Sequence, residues 1–98
     1  MIDYTGRKVI ARGIQSGVYY GTLVSREGQE VELSNCRNIW YWRGANNLLD
    51  IANYGVAEPA ESKISVAVDS IVFTDIIEII PCTQEAIDNL GGIEPWTY

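Results

Sequence analysis

The run Arg37–Arg43, with the sequence Arg-Asn-Ile-Trp-Tyr-Trp-Arg, places three large aromatic side chains between two guanidinium groups. In an extended strand, neighbouring side chains point to opposite faces, so Trp40 and Trp42 would share one face and Tyr41 would take the other. A single-layer sheet fully buries only one of its faces. At least one of these rings must therefore be covered by a helix, a second subunit or a ligand.

This aromatic run has two interpretations. Indole and phenol rings offer flat faces for stacking, and arginine offers a planar fork of donors that fits phosphate or carboxylate, so the run could form a pocket for a ligand with a ring and an anionic group. It could equally be a core strand with solvated arginines at its ends. The candidate ligand-binding residues are Arg37, Trp40, Trp42 and Arg43, with Tyr19, Tyr20 and Asn46 as pocket walls.

Alternating apolar residues and turn residues predict a sheet in the first half of the chain. Strands are expected over 8–14 and 18–25, and a third strand starts at Glu30 after a hairpin turn at Gly28, where positive φ is needed. Ser34-Asn35 can bend this third strand before the aromatic run begins. The faces that the aromatic side chains take are therefore left open.

The second half of the chain predicts two short helices separated by strands. The first helix covers about Asn47–Tyr54, with an N-cap supplied by residues 44–46 and Gly55 as its stop, and the second covers 84–90 with Thr83 as its cap. A strand is expected over 63–68, and Ile76–Ile80 is interpreted as a central strand. The chain is thus expected to form one α+β domain, residues 1–98, with an antiparallel sheet of about five strands, one central short helix and one C-terminal short helix.

The chain lacks the residues that most enzymes depend on. It contains no histidine, which is the commonest general base and the usual partner of a nucleophilic serine or cysteine. Its two cysteines, Cys36 and Cys82, are too far apart in sequence for a zinc motif and are expected to be buried thiols. We therefore expect a protein that is not an enzyme and that needs no metal or cofactor.

The net charge of −6 is distributed unevenly. Residues 44–98 contain a single cation, Lys63, against nine carboxylates, whereas the other six cations precede residue 44. A net-acidic chain is a poor binder of duplex nucleic acid, whose affinity comes mainly from neutralised phosphates. No apolar stretch is long enough to cross a bilayer and the N-terminus lacks a signal-peptide layout, so no membrane association and a cytoplasmic location are expected.

Six blocks of the chain form a recognisable pattern. They are Gly17–Leu23, Gly28–Leu33, Arg37–Ala45, Leu48–Ala52, Glu78–Thr83 and Trp96. In these blocks the chain resembles a family of small proteins found in phages and prophages, most of them without an assigned function. The most specific motif is Arg-x-Ile-Trp-Tyr-Trp-x-Gly-Ala at Arg37–Ala45, and many relatives carry a second arginine where this chain has Asn38.

The group is also similar, more distantly, to phage sponge proteins that disarm Thoeris or cyclic-oligonucleotide signalling by sequestering the nucleotide messenger. This resemblance implies a non-catalytic homo-oligomer in the cytoplasm of an infected bacterial host. Its ligand would be a cyclic nucleotide or a molecule of the cyclic ADP-ribose type, bound at or near a subunit interface. Aromatic faces and arginines suit purine rings and phosphates, so the side-chain chemistry agrees with that implication.

Two other functions fit the sequence. The acidic half, with Glu58 and Glu61, could imitate a nucleic acid and inhibit a host defence enzyme. Alternatively, the chain could be a small phage structural or assembly protein. The aromatic tail Ile93–Tyr98 is expected to fold back on the body or onto a neighbouring subunit, which suits this third function.

Overall fold

The computed structural model describes residues 3–98 and contains six β-strands and two α-helices. In chain order they are β1 Lys8–Gly13, β2 Val18–Glu27, β3 Glu30–Tyr41, α1 Leu48–Tyr54, β4 Lys63–Ile64, β5 Val68–Phe73, β6 Ile76–Pro81 and α2 Gln84–Gly91. A short 3-10 turn, Pro59–Glu61, lies between α1 and β4. Every strand pairing is antiparallel. The predicted α+β fold with two short helices is confirmed, with six strands where about five were expected.

The strands form one sheet in the order β4-β3-β2-β1-β6, and β5 also pairs with β3. The long strand β3 pairs with β5 along its first part and with β4 along its last part. Val31 lies opposite Phe73 of β5, and Ile39 lies opposite Ile64 of β4. β5 and β6 are joined by only two residues, 74 and 75, yet they flank opposite sides of the β3-β2-β1 unit. The sheet must therefore curl strongly to bring these two edges together.

The curled sheet has a hydrophobic core on each face. One cluster lies between the sheet and the helices and includes Ile10, Ile39 and Leu90, and we call it the helix-side core. The other lies on the opposite face and includes Val9 and Phe73. Val9 and Ile10 are neighbours in β1 that are both fully buried, as expected when successive strand residues point to opposite faces and both faces are covered.

Both helices have side-chain caps at their start. The Asn47 side chain accepts a hydrogen bond from the Asp50 N–H, and the Thr83 side chain accepts one from the Ala86 N–H. The Thr83 cap and the stop at Gly55, where φ is 77°, are confirmed. The prediction that residues 44–46 supply the first cap is wrong by one residue, because Asn47 performs that role.

The interpretation of Ile76–Ile80 as a central strand is wrong. β6 pairs with β1 and lies at the end of the strand order, and the side chain of Ile77 is exposed. Its run of β-branched residues indicates a strand, but whether a strand is central or at an edge depends on long-range pairing that hydropathy does not encode. Pro81 at its end is compatible with this edge position.

Cys36 and Cys82 are both buried, and they lie in different cores on the two faces of the sheet. Burial raises the pKa of the Cys36 thiol to about 12 and that of Cys82 to about 11. We expect neither thiol to react with Ellman's reagent in the native protein at pH 8, because the thiolate is the reactive form. In denaturant, both should react within minutes. Rapid labelling of either cysteine in the native protein would contradict this placement.

Candidate functional site

An exposed group of aromatic rings gathers where β3 meets the C-terminal tail. We call it the aromatic surface, and it consists of Trp40, Tyr41, Trp96 and Tyr98 together with Lys63. The Trp96 N–H donates to the Ile64 carbonyl at 2.9 Å, which seats the tail beside β4 and confirms that the tail folds back on the body. The ring centroids of Trp40 and Trp96 are 6.0 Å apart with perpendicular planes, and 47% of Trp40 remains exposed.

A bulge in β3 accounts for the exposure of Trp40. Ile39 lies opposite Ile64 and Tyr41 lies opposite Lys63, so two steps along β3 correspond to one step along β4. Trp40 is the extra residue, and a bulge of this kind redirects side chains from the regular alternation. Ile39 is consequently buried in the helix-side core while Trp40 faces solvent.

Lys63 supplies the positive charge of the aromatic surface. Its ammonium nitrogen lies 4.7 Å from the ring centroid of Trp96 and 5.8 Å from that of Tyr41. Attraction between a cation and the ring quadrupole holds the ammonium there. Within residues 3–98, Lys63 makes no salt bridge with a carboxylate. A cation without an acidic partner therefore stands beside exposed ring faces.

The guanidinium of Arg37 is buried and holds the tail in place. Nε donates to the Ser65 carbonyl at 2.8 Å, Nη1 to the Leu90 carbonyl at 2.9 Å, and Nη2 to the Ile93 carbonyl at 2.6 Å. Burial lowers the pKa of Arg37. Three of its five N–H groups are thus committed to the backbone of the β4–β5 connection, the end of α2 and the start of the tail. Arg37 positions the segment that carries Trp96, and its contact with a ligand stays a prediction.

Trp42, Arg43 and Asn46 do not join the aromatic surface. Trp42 is half-buried against the helix-side core. Arg43 is exposed, with its Nε 3.9 Å from the Glu58 carboxylate, a distance at which an exposed ion pair contributes little. Asn46 donates from both its backbone and its side-chain nitrogen to the Asp50 carboxylate.

The two tyrosines are split between the two cores. Tyr19 is partly buried, with its ring centroid 4.6 Å from that of Phe73. Tyr20 is buried in the helix-side core, where burial raises its pKa to about 12. Tyr20 and Arg37 do come together, at a groove beside the end of α2 that also includes Lys8. The seven predicted residues are therefore spread over several places rather than gathered in one pocket.

Sequence reasoning left Lys63, Trp96 and Tyr98 out of the candidate site. A signal for them was present, since Lys63 is the single cation of residues 44–98 and the tail ends in two aromatic residues. Their proximity to Trp40 depends on pairing between β3 and β4 and on the anchoring of the tail, which are long-range features of the fold.

Several titratable side chains of the described residues are buried or already hydrogen-bonded. Burial raises the pKa of Tyr19 and of both thiols, which makes these groups less able to lose a proton. Hydrogen bonds from Gln15 and Ser16 lower the pKa of Asp75 and occupy its carboxylate. Within residues 3–98, no group of three or more His, Cys, Asp or Glu is placed to hold a metal ion, and no helix is long and apolar enough to cross a membrane.

A family model matches most of the chain. Its description is a domain of unknown function, DUF6948, and it covers residues 6–90. No curated protein and no solved structure matches the chain. The matched range contains Arg37, Trp40 and Lys63, whereas Trp96 and Tyr98 lie beyond its end.

The structure makes Arg37 testable as the anchor of the tail. We expect Arg37→Ala to lower the free energy of unfolding by about 3 kcal/mol, because it removes three hydrogen bonds from a charged donor, including the one to the buried Ile93 carbonyl. Arg37→Lys should restore only part of this loss, since an ammonium cannot reproduce the planar fork. Urea denaturation followed by tryptophan fluorescence gives both values. A loss below about 1 kcal/mol in the alanine variant would contradict the anchoring role.

Proposed function

Because the chain belongs to the family described as domain of unknown function DUF6948, its activity has to be inferred from its surface, and we propose that it binds a nucleotide at the aromatic surface without cleaving it. The ligand class is a cyclic nucleotide or a molecule of the cyclic ADP-ribose type. One observation carries this proposal: the Lys63 ammonium lies 4.7 Å from the Trp96 ring, next to the half-exposed indole of Trp40. A ring face and a positive charge are therefore available side by side.

The energetics of stacking support this proposal. A base stacked on an aromatic side chain contributes about 1–3 kcal/mol. The accessible indole of Trp40 is held by the β3 bulge and by the edge contact with Trp96, so little side-chain entropy is left to lose when a ring stacks on it. Lys63 then offers its ammonium to a phosphate attached to that ring. The sequence analysis expected arginine to make this contact. At the aromatic surface the cation is Lys63 instead.

We assign the biological role by combining this surface with the sequence resemblance. Sequestration of a signalling nucleotide needs affinity and no turnover. The described residues provide ring faces and a cation, while burial raises the pKa of Tyr20 and of both thiols and makes them poor proton donors. The chain would act in the cytoplasm of an infected bacterial host and lower the free concentration of an immune messenger. The similarity to phage sponge proteins supports this role.

The proposed sponge is a homo-oligomer, and the free edge of β5 supports that part. β5 pairs with β3 alone among the strands of residues 3–98, and Val68 and Val72 are exposed along it. Natural proteins usually protect such an edge with charges, proline or a covering element, because its free backbone groups can pair with another chain. A second copy covering this edge would bury both valines.

Calorimetry with a panel of cyclic nucleotides tests the binding site. We expect Trp40→Ala to weaken the best ligand at least about tenfold, which corresponds to the loss of one stacked base, and Lys63→Met to weaken it about fivefold. Tyr54→Ala is the matched control, because Tyr54 is 60% exposed on α1 and lies outside the aromatic surface. The bound ligand should be recovered intact after heat denaturation.

Two outcomes of that experiment would contradict the proposal. If no nucleotide produces heat, the proposed function is wrong. If a nucleotide binds but Trp40→Ala binds as tightly as the wild type, nucleotide binding survives and the aromatic surface is the wrong site.

Light scattering tests the proposed assembly. The wild type should have a mass of at least two chains, and Val72→Lys should lower that mass, because a lysine on the free edge opposes pairing with another strand. Leu49→Lys is the matched control, since Leu49 on α1 is 60% exposed and Val72 is 59% exposed. A monomeric wild type, or an equal loss of mass in both variants, would contradict an interface at β5.

A further inference from the structure

A concave site lies beside the start of the tail, at Ile93, Glu94 and Pro95. It is a groove of about 430 Å³ between the β1–β2 part of the sheet and the end of α2. Its walls include the Tyr20 ring, the side chains of Ile87 and Ile93, and the backbone of Gly91. This volume lies within the range of about 300–1,000 Å³ that is typical of small-molecule sites.

The groove has more positive than negative charge. Lys8 and Arg37 line it, against one carboxylate, that of Glu94. Arg37 contacts carbonyl oxygens and makes no salt bridge within residues 3–98, although the Glu94 carboxylate interacts with it electrostatically. Lys8 likewise makes no salt bridge in that part of the chain, and its ammonium lies 5.6 Å from the Tyr20 ring centroid.

We propose that this groove binds a small organic anion, with its acid group at Lys8 and its flat or apolar body against Tyr20, Ile87 and Ile93. Partial enclosure by these apolar walls makes the attraction between Lys8 and an anion stronger than it would be in open solvent. The acid group is a carboxylate or a phosphate monoester, since an ammonium attracts both by the same chemistry. Binding of an anion in this groove does not require that the aromatic surface binds a nucleotide.

Gly91 makes the groove accessible to a precise blocking experiment. A Cβ added at Gly91 would have no contact within 4 Å, and the residue has no positive φ. Glycine is therefore not required there for packing or for backbone geometry. A phenylalanine at this position adds a large side chain at the lining of the groove, with little cost to the fold.

The ligand class can be probed with phenyl phosphate, benzoate and phenol, which share a ring and differ in their acid group. We expect phenyl phosphate or benzoate to shift the amide resonances of Gly91 and Gly92 in NMR titrations of the full chain, and phenol to bind at least about fivefold more weakly. Preference for phenyl phosphate identifies a phosphate ester as the ligand, and preference for benzoate identifies a carboxylate. Phenol binding as tightly as both anions, or no shift at these glycines with any probe, would overturn the proposal.

Three variants examine the electrostatics and the location. Lys8→Met should weaken the better anion about fivefold, and Glu94→Gln should tighten it about twofold because a repelling carboxylate is removed. Gly91→Phe should abolish binding, whereas Gln84→Phe, on an exposed position of α2, should not. Unchanged affinity in Gly91→Phe would overturn the location of the site. Weaker binding in Glu94→Gln would overturn the electrostatic argument, and this result does not depend on whether the other variants fold.

Discussion

The hydrogen bonds of the Arg37 guanidinium join β3 to the β4–β5 connection, to the end of α2 and to the start of the tail. A buried charge is costly unless its donors are satisfied, and here three carbonyl oxygens satisfy them. The last carbonyls of a helix have no partner within the helix, and Arg37 supplies one for Leu90 at the end of α2. The same side chain fixes Ile93, and with it the tail. Both the aromatic surface and the groove of Lys8 adjoin the tail, which Arg37 holds at Ile93 and the Ile64 carbonyl holds at Trp96.

The aromatic run in β3 is divided between the interior and the surface. Trp42 is packed against the helix-side core, as a structural role predicts, while Trp40 and Tyr41 are about half exposed. The bulge between Ile39 and Tyr41 produces this division, because it breaks the alternation that would otherwise place Trp40 and Trp42 alike. Core packing and surface recognition are therefore not alternatives for the run as a whole, since each applies to different residues.

Local signals predicted most elements of this fold and predicted their arrangement poorly. The strand expected over 63–68 is wrong in its bounds, because β4 ends at Ile64 and β5 begins at Val68. The hairpin at Gly28, the cap at Thr83 and the stop at Gly55 follow from short-range backbone chemistry, and all are present. The partners of Arg37 lie 28, 53 and 56 residues away in the chain, so no local pattern could identify them. For the same reason, the edge position of β6 could not be read from its hydropathy. The candidate site was predicted least well, because it depends on which residues that are distant in sequence lie close together in the fold.

Arg37 donates a hydrogen bond to the backbone of the tail at Ile93, and it also interacts electrostatically with the Glu94 carboxylate. The hydrogen bond from Arg37 to residue 93 needs only a backbone carbonyl oxygen as acceptor, and every amino acid has one. The family model covers residues 6–90, so Ile93 lies beyond the matched range. The Ile93 side chain is buried in the helix-side core as well, so both the backbone and the side chain of this residue join the tail to the interior.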